Sequence, residues 1–261
     1  MDGFAECFYD TAMVEPKAPA VSVVPKAPTV SVVVPVRNEA DNIAPLAAEI
    51  VRALGGTAFE LIFVNDGSTD TTAAMLRGLC DADPRVRAIH HRRSCGQSAA
   101  IVTGVRAARG DWLATLDGDG QNDPADLPAL LERAAAGGPG CLAAGHRTRR
   151  RDSWIKRRTS RIANGVRARL LRDCTPDTGC GLKVMRRELF LALPHFDHMH
   201  RFLPALVLRA GGTVVSVPVN HRPRLRGRSN YGTLDRLAVG IVDLAGVWWL
   251  QRRWRIPEIG P

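Results

Sequence analysis

From residue 29 onward, short apolar runs rich in valine, leucine and isoleucine alternate with stretches of helical period, and each run ends in a polar cluster. The runs 30–34, 61–64, 86–89, 112–116 and 142–144 read as strands. Asp41 is placed to cap a helix that runs through Leu54 and stops at Gly55-Gly56, and 69–79, 98–108 and 126–136 read as further helices. Strands that are apolar on both sides have helices on both faces. The pattern therefore predicts an α/β fold around a mostly parallel central sheet. Such sheets bind ligands beyond the carboxyl ends of their strands. The polar clusters Arg37-Asn38-Glu39, Asn65-Asp66 and Asp117-Gly118-Asp119 fall at those ends.

The pattern changes near Gly145. Between Arg147 and Arg172 the chain carries 11 basic residues and a single acid, Asp152. A long basic helix is expected over 154–171, then strands near 182–185 and 213–217 with a helix over 201–209 between them. A basic loop over 220–230 leads into an amphipathic segment, 231–253. Residues 1–28 hold four prolines and no amphipathic period, and read as a flexible leader. Within it Pro16–Val24 is nearly repeated at Pro25–Val33, two copies being too few for a repeat architecture. The expected division is a leader (1–28), a main domain (29–230, with halves 29–146 and 147–230) and a C-terminal segment (231–261).

Charge narrows the partners. The 261 residues include 36 Lys and Arg against 26 Asp and Glu, a net +10, and only four of the basic residues are lysines (17, 26, 156 and 183). Planar arginine forks suit phosphates and carboxylates, so an anionic partner is expected: a nucleotide, a phospholipid surface or nucleic acid. Six cysteines (7, 80, 95, 141, 174 and 180) form no CxxC pair, which argues against a zinc site or a disulfide framework. The first residues lack a secretory pattern, and no run of about 18 apolar residues is present, so a cytoplasmic protein without a spanning helix is expected.

The sharpest local feature is Leu116-Asp117-Gly118-Asp119-Gly120-Gln121. Alternate residues of an extended segment point the same way, so Asp117 and Asp119 can face one hard cation, with Gln121 adding a neutral oxygen. Two carboxylates leave coordination positions open for substrate phosphates, the usual arrangement for Mg2+ or Mn2+ shared with a nucleotide. An Asp- and Gly-rich turn is the plainer alternative. An EF-hand loop starting at Asp117 would need Gly at 122 and Glu at 128, where Asn122 and Pro128 stand. A phosphatase with Asp117 as nucleophile would need a downstream acidic metal pair, and none follows residue 126.

Three motifs occur in order: Ser31-Val-Val-Val-Pro35-Val-Arg-Asn38-Glu39, Val64-Asn65-Asp66-Gly67-Ser68-Thr69-Asp70 and Asp117-Gly-Asp119-Gly-Gln121. Together they resemble the inverting family 2 glycosyltransferases with the GT-A fold. Gly145-His-Arg147, Arg157–Ser160, Asp177-Thr-Gly-Cys-Gly181 and Gly227-Arg-Ser229-Asn230-Tyr231 resemble the dolichol-phosphate mannose synthase branch. The likeness covers roughly 29–250. It implies that Pro35 and Glu39 line the nucleotide site, that Asp66 bonds the base, and that Asp117, Asp119 and Gln121 hold Mg2+ or Mn2+ on the donor diphosphate. It implies further that Arg147, Arg157 and Ser160 receive the lipid phosphate while Arg226 and Arg228 close over the diphosphate. Residues 29–146 are then the nucleotide-sugar half and 147–230 the acceptor half. Two departures stand out. Val36-Arg37 replaces the aromatic or Thr-Tyr residues common in the family, and Asn230 replaces a common lysine after the loop serine.

The reaction implied is sugar transfer from a nucleotide diphosphate sugar, GDP-mannose or a UDP-sugar, to a polyprenyl phosphate at the cytosolic membrane face. An acceptor hydroxyl would instead need a base, for which Asp177 and Asp197 are the candidates. Nucleic-acid binding rests on charge alone and has no motif behind it. His195, His198 and His200 match no ligand spacing and read as loop histidines, with His198 or His200 placed to touch acceptor or donor. Trp248, Trp249 and Trp254 beside Arg252, Arg253 and Arg255 fit a core helix and an interfacial one equally. Peripheral attachment to an anionic membrane through 147–172 and 231–255 is expected, a separately encoded membrane protein being a further candidate partner.

Overall fold

A computed structural model describes residues 29–148, 165, 167–173, 175–223 and 233–253. Seven strands form one sheet: β1 (Val30–Val36), β2 (Phe59–Asp66), β3 (Val86–His91), β4 (Trp112–Thr115), β5 (Cys141–Arg147), β6 (Lys183–Arg186) and β7 (Thr213–Val219). Their spatial order is β3-β2-β1-β4-β6-β5-β7. All run in one direction except β6, which is antiparallel to both β4 and β5. The mostly parallel α/β sheet is as expected.

Helices cover both faces: α1 (Ala40–Ala53), α2 (Thr72–Ala82), α3 (Gln97–Ala107), α4 (Leu127–Ala136), α5 (Arg187–Ala192), α6 (Leu203–Arg209) and α7 (Thr233–Arg253). Alternation along β1 divides its side chains between two cores. Val30, Val32, Val34 and Val36 pack with Ile43, Leu46, Ala47 and Ile50 of α1 on one face. The α1 residues recur at helical spacing, which is why that stretch is a helix with a buried stripe. Val33 joins Ile62, Val64, Ile101 and Val105 on the other face.

The elements depart from the sequence pattern where polar residues are buried. β2 begins at Phe59 rather than 61 because the Glu60 charge is answered inside the protein. Ser31 Oγ and the Arg109 N–H donate to Glu60 Oε1 at 2.7 and 2.6 Å, and Arg87 Nη1 donates to Oε2 at 2.7 Å. α1 is capped at Glu39, not Asp41, and Asn42 Nδ2 donates to the Glu39 carboxylate at 2.5 Å. α2 starts late because the Asp70 carboxylate takes the Thr72 N–H at 2.9 Å. β5 runs on to Arg147, its end paired with Pro218 and Val219 of β7. α5 is too short to leave a period in the sequence. Residues 167–171 are helical, and the rest of the long basic helix expected over 154–171 lies outside the described residues except for Gly165.

Candidate active site

The carboxyl ends of four strands bring the candidate residues to one edge of the sheet. Pro35 lies near the end of β1 and Glu39 follows it, Asp66 ends β2, Asp117 and Asp119 follow β4, and Arg147 ends β5. Arg157, Ser160, Arg226 and Arg228 lie outside the described residues.

Asp66 is buried, and its own chain fills it. His91 Nδ1 and the Cys95 N–H lie 2.8 Å from Oδ1, while Ser94 Oγ and the Gly96 N–H donate to Oδ2 at 2.7 and 2.9 Å. A carboxylate has about four acceptor positions, so these partners saturate it. Burial alone would raise this carboxyl; the four hydrogen bonds outweigh it and hold the group below the usual carboxylate range. Gly67 beside it has φ +65°, and a Cβ there would lie 2.5 Å from the Ser94 nitrogen, so the turn after β2 presses directly on the 93–94 backbone. Asp66, His91 and Cys95 have ligand atoms within 4.8 Å of one another. Both ring nitrogens of His91 are engaged, the second with Thr103 Oγ1 at 3.0 Å, which makes this group a closed hydrogen-bond network.

Asp117 is held differently. Gln97 Nε2 donates to its Oδ1 at 2.7 Å, and a side chain on Gly181 would strike the carboxylate. Burial first, then the neighbouring Asp119 carboxylate, push the Asp117 carboxyl above its ordinary range, with Lys183, Gln97 and Arg147 pulling the other way. Asp119 Oδ1 accepts the Gln121 N–H at 3.1 Å. Two neighbouring carboxylates form a hard, oxygen-rich site. That donor set fits Mg2+ or Mn2+. Lys183, buried in β6, donates from Nζ to the carbonyls of Thr178 and Cys180 and so ties down the segment that carries Gly181.

Arg147 meets Asp177 in a bidentate pair, Nε to Oδ2 at 2.6 Å and Nη2 to Oδ1 at 2.7 Å, with both side chains largely buried. Burial works against the Arg147 charge, but Asp177 more than compensates and raises the group. Asp177 is thus committed to orienting a guanidinium. Ser98 Oγ lies 2.7 Å from His200 Nδ1. Burial, and after it Lys183 and Arg201, push the His200 ring down to about 3.

After β7 the chain folds back on the Asp117–Asp126 loop. Arg222 donates its N–H to the Gln121 carbonyl at 2.9 Å, and its fork bridges Glu49 of α1 (2.7 Å) and Asp123 (2.6 Å). Gln97, Gly181, Lys183 and Arg222 carry no local sequence signal for these roles, because each acts on a partner that only the folded sheet brings near.

On α7, Val247 is buried and Leu244 and Trp248 pack on the second core, whereas Ile241 (61% exposed), Val242 (71%) and Trp249 (54%) face outward. Arg252 and Arg253 lie over the rings of Trp248 and Trp249 at 4.1 and 5.9 Å. The helix thus packs on the core with one side and presents an apolar, cation-edged face on the other. Among the described residues no helix is long and apolar enough to cross a membrane.

Comparison with known proteins places this geometry. An undecaprenyl-phosphate 4-deoxy-4-formamido-L-arabinose transferase of Edwardsiella ictaluri is 36% identical over 205 residues, 77% of this chain and 62% of that protein. A dodecaprenyl-phosphate galacturonate synthase of Rhizobium johnstonii is 34% identical over 229 residues, 84% of this chain and 66% of that protein. The chain thus spans a little under two thirds of the length of these relatives. Among solved structures, a mannosyltransferase from Pyrobaculum calidifontis in complex with GDP-Man and Mn2+ superposes with a TM-score of 0.66 at 21% identity, covering 89% of this chain and 66% of that one. Glucosyl-3-phosphoglycerate synthase from Mycobacterium tuberculosis with Mn2+, uridine diphosphate and phosphoglyceric acid gives 0.65 at 21% identity, covering 88% and 80%. These two share the GT-A fold with this chain. Residues 31–193 match the description "Glycosyl transferase family 2", and the chain belongs to that family.

Proposed function

We propose that this protein transfers a sugar from a nucleotide diphosphate sugar to a polyprenyl phosphate, inverting the anomeric centre, at the cytosolic membrane face. The observation that carries the acceptor class is the Arg147–Asp177 pair. It presents a rigid, charged guanidinium, within electrostatic reach of Asp117, at the strand end where an acceptor would arrive. It also occupies Asp177, one of the two carboxylates that a hydroxyl acceptor would need as base. A phosphate oxygen is already anionic near neutral pH and needs none. The two named polyprenyl-phosphate relatives support the same class.

In this reading Pro35 and Glu39 line the nucleotide pocket. Asp66, expected to bond the base, has its carboxylate filled by its own chain, so in this reading it serves the base by holding the 94–97 segment. Asp117, Asp119 and Gln121 hold Mg2+ or Mn2+, which when bound supplies positive charge to the leaving diphosphate. Arg226 and Arg228 add further charge there. Arg147, with Arg157 and Ser160, orients the acceptor phosphate for in-line attack, so that catalysis is mainly positioning and charge neutralisation. The outward face of α7 and the basic stretch 147–172 seat the protein on anionic lipid, with a separately encoded membrane protein as a further partner and no nucleic acid involved.

The test is an acceptor panel: undecaprenyl and dolichyl phosphate against hydroxyl glycans, each with labelled GDP- and UDP-sugars and Mg2+ or Mn2+. Product on the lipid phosphates is expected. Product only on hydroxyl acceptors would overturn the assignment.

A further inference from the structure

We propose that Gln97 is a positioning residue that sets the Asp117 carboxylate for its cation and links it to the Asp66 end of the site. The inference rests on the metal role proposed for Asp117. Gln97 opens α3, and its side-chain amide holds Oδ1 of Asp117 at 2.7 Å. Gly181 packs closely on the same carboxylate, where a Cβ would strike both oxygens, so the amide bond and that contact together restrict how the group can turn. The donor type matters. A neutral amide orients a carboxylate without cancelling the charge that the cation needs, whereas a lysine at the same place would compete with the ion.

The backbone leading to Gln97 has little slack. Asp66 takes the N–H groups of Cys95 and Gly96, the two residues before it, and the Gly67 turn abuts Arg93 and Ser94. On its far side Ser98 is bonded to His200. Gly96 itself has φ +90°, a conformation that side-chain-bearing residues rarely adopt, which fixes how the backbone enters α3. A nucleotide seated against this segment therefore bears on the Gln97 amide and, through it, on Asp117. Two ligands that each order one end of such a segment help one another bind, and the effect is reciprocal. Supports of a ligating side chain typically contribute 10–100-fold in metal affinity.

The experiment measures Mn2+ binding to the full-length protein by the electron paramagnetic resonance of free Mn2+, alone and with saturating GDP or UDP. Gln97→Met keeps the volume and removes the donor. Gln97→Asn keeps the amide but is too short to reach, and serves if the Met variant fails to fold. Unfolding temperature and circular dichroism confirm the fold. Both variants are expected to weaken Mn2+ binding about tenfold without nucleotide, and to bring the factor by which nucleotide strengthens Mn2+ binding towards unity. Wild-type Mn2+ affinity and an unchanged nucleotide factor in a folded variant would overturn the proposal while leaving the metal role of Asp117 intact. Failure of the wild type to bind Mn2+ even with nucleotide would overturn both.

Discussion

The two halves of the molecule handle buried charge in opposite ways. In residues 29–146, Glu60 and Asp66 are anions answered mainly by hydroxyl and backbone N–H donors, with His91 and Arg87 added, and all four carboxylate oxygens are filled. Beyond residue 146, charge meets charge: Arg147 with Asp177, Arg167 with Asp173, and Lys183 enclosed within the electrostatic reach of Asp117. Among the described residues of that half, Arg167 Nε and Asp173 Oδ2 are buried without a hydrogen-bond partner. Neutral donors make a rigid anionic frame whose shape does not depend on a ligand. Opposed charges make a frame that is sensitive to the next charge to arrive. That contrast suits a donor bound through a preset pocket and an acceptor bound through its phosphate.

The contrast can be broken at several points. The largest effect is expected at Asp117. Asp117→Asn should lower kcat by about 10³-fold, yet leave the unfolding temperature equal or higher, because a half-buried carboxyl beside a second carboxylate, with its pKa raised, is costly to keep charged. A matched fall in stability would make Asp117 structural. Asp177→Ala comes next, since an uncompensated, mostly buried Arg147 costs about 3 kcal/mol. Urea unfolding should register that loss, and KM for polyprenyl phosphate should rise more than KM for the donor. Asp66→Ala strands four donors at once, for about 2 kcal/mol, and should raise the donor KM instead. If the two variants shift the same KM, the division between the halves is wrong.

Smaller effects sharpen the comparison. Folded His200 titrates near 3 against an ordinary 6.5. The unfolded chain therefore binds the proton more readily, so the stability it contributes is full above pH 6.5 and is lost as pH falls towards 3. The window between pH 6.5 and 4.5 lies above the carboxylates held below their normal range. The change in denaturation midpoint between pH 7 and 5 should differ between the wild type and His200→Gln by the His200 contribution, the variant losing less stability on acidification. Last, Arg222→Gln removes a half-exposed fork and should cost at most about 1 kcal/mol, with a measurable loss of Mn2+ affinity through the Gln121–Asp123 loop.

The parallel frame of 29–146 was readable because apolar alternation and polar strand ends are local properties. Asp117, Asp119 and Arg147 stood out for the same reason, as short motifs at strand ends. Gln97 did not. It reads as an ordinary helix residue, and its partner lies 20 positions away on another element. The pairing of Arg147 with Asp177 spans 30 positions and depends on β6 entering the sheet between β4 and β5. Glu60 hid the start of β2 because an isolated charge signals a strand boundary until its three donors are known.

The insertion of β6 also dictates an order of assembly. β5 hydrogen-bonds to β6 and β7, and to no earlier strand, although it precedes both in the chain. As synthesis passes residue 147, β1 to β4 have every partner they need on one side, while β5 has none. Its apolar residues Leu142–Ala144 have no strand partner until β6 has been made, some 40 residues later, and an unpaired apolar edge is the kind of segment that favours aggregation. The frame of β1 to β4 is thus complete in the chain before the strands that carry Arg147 and Lys183 can join it.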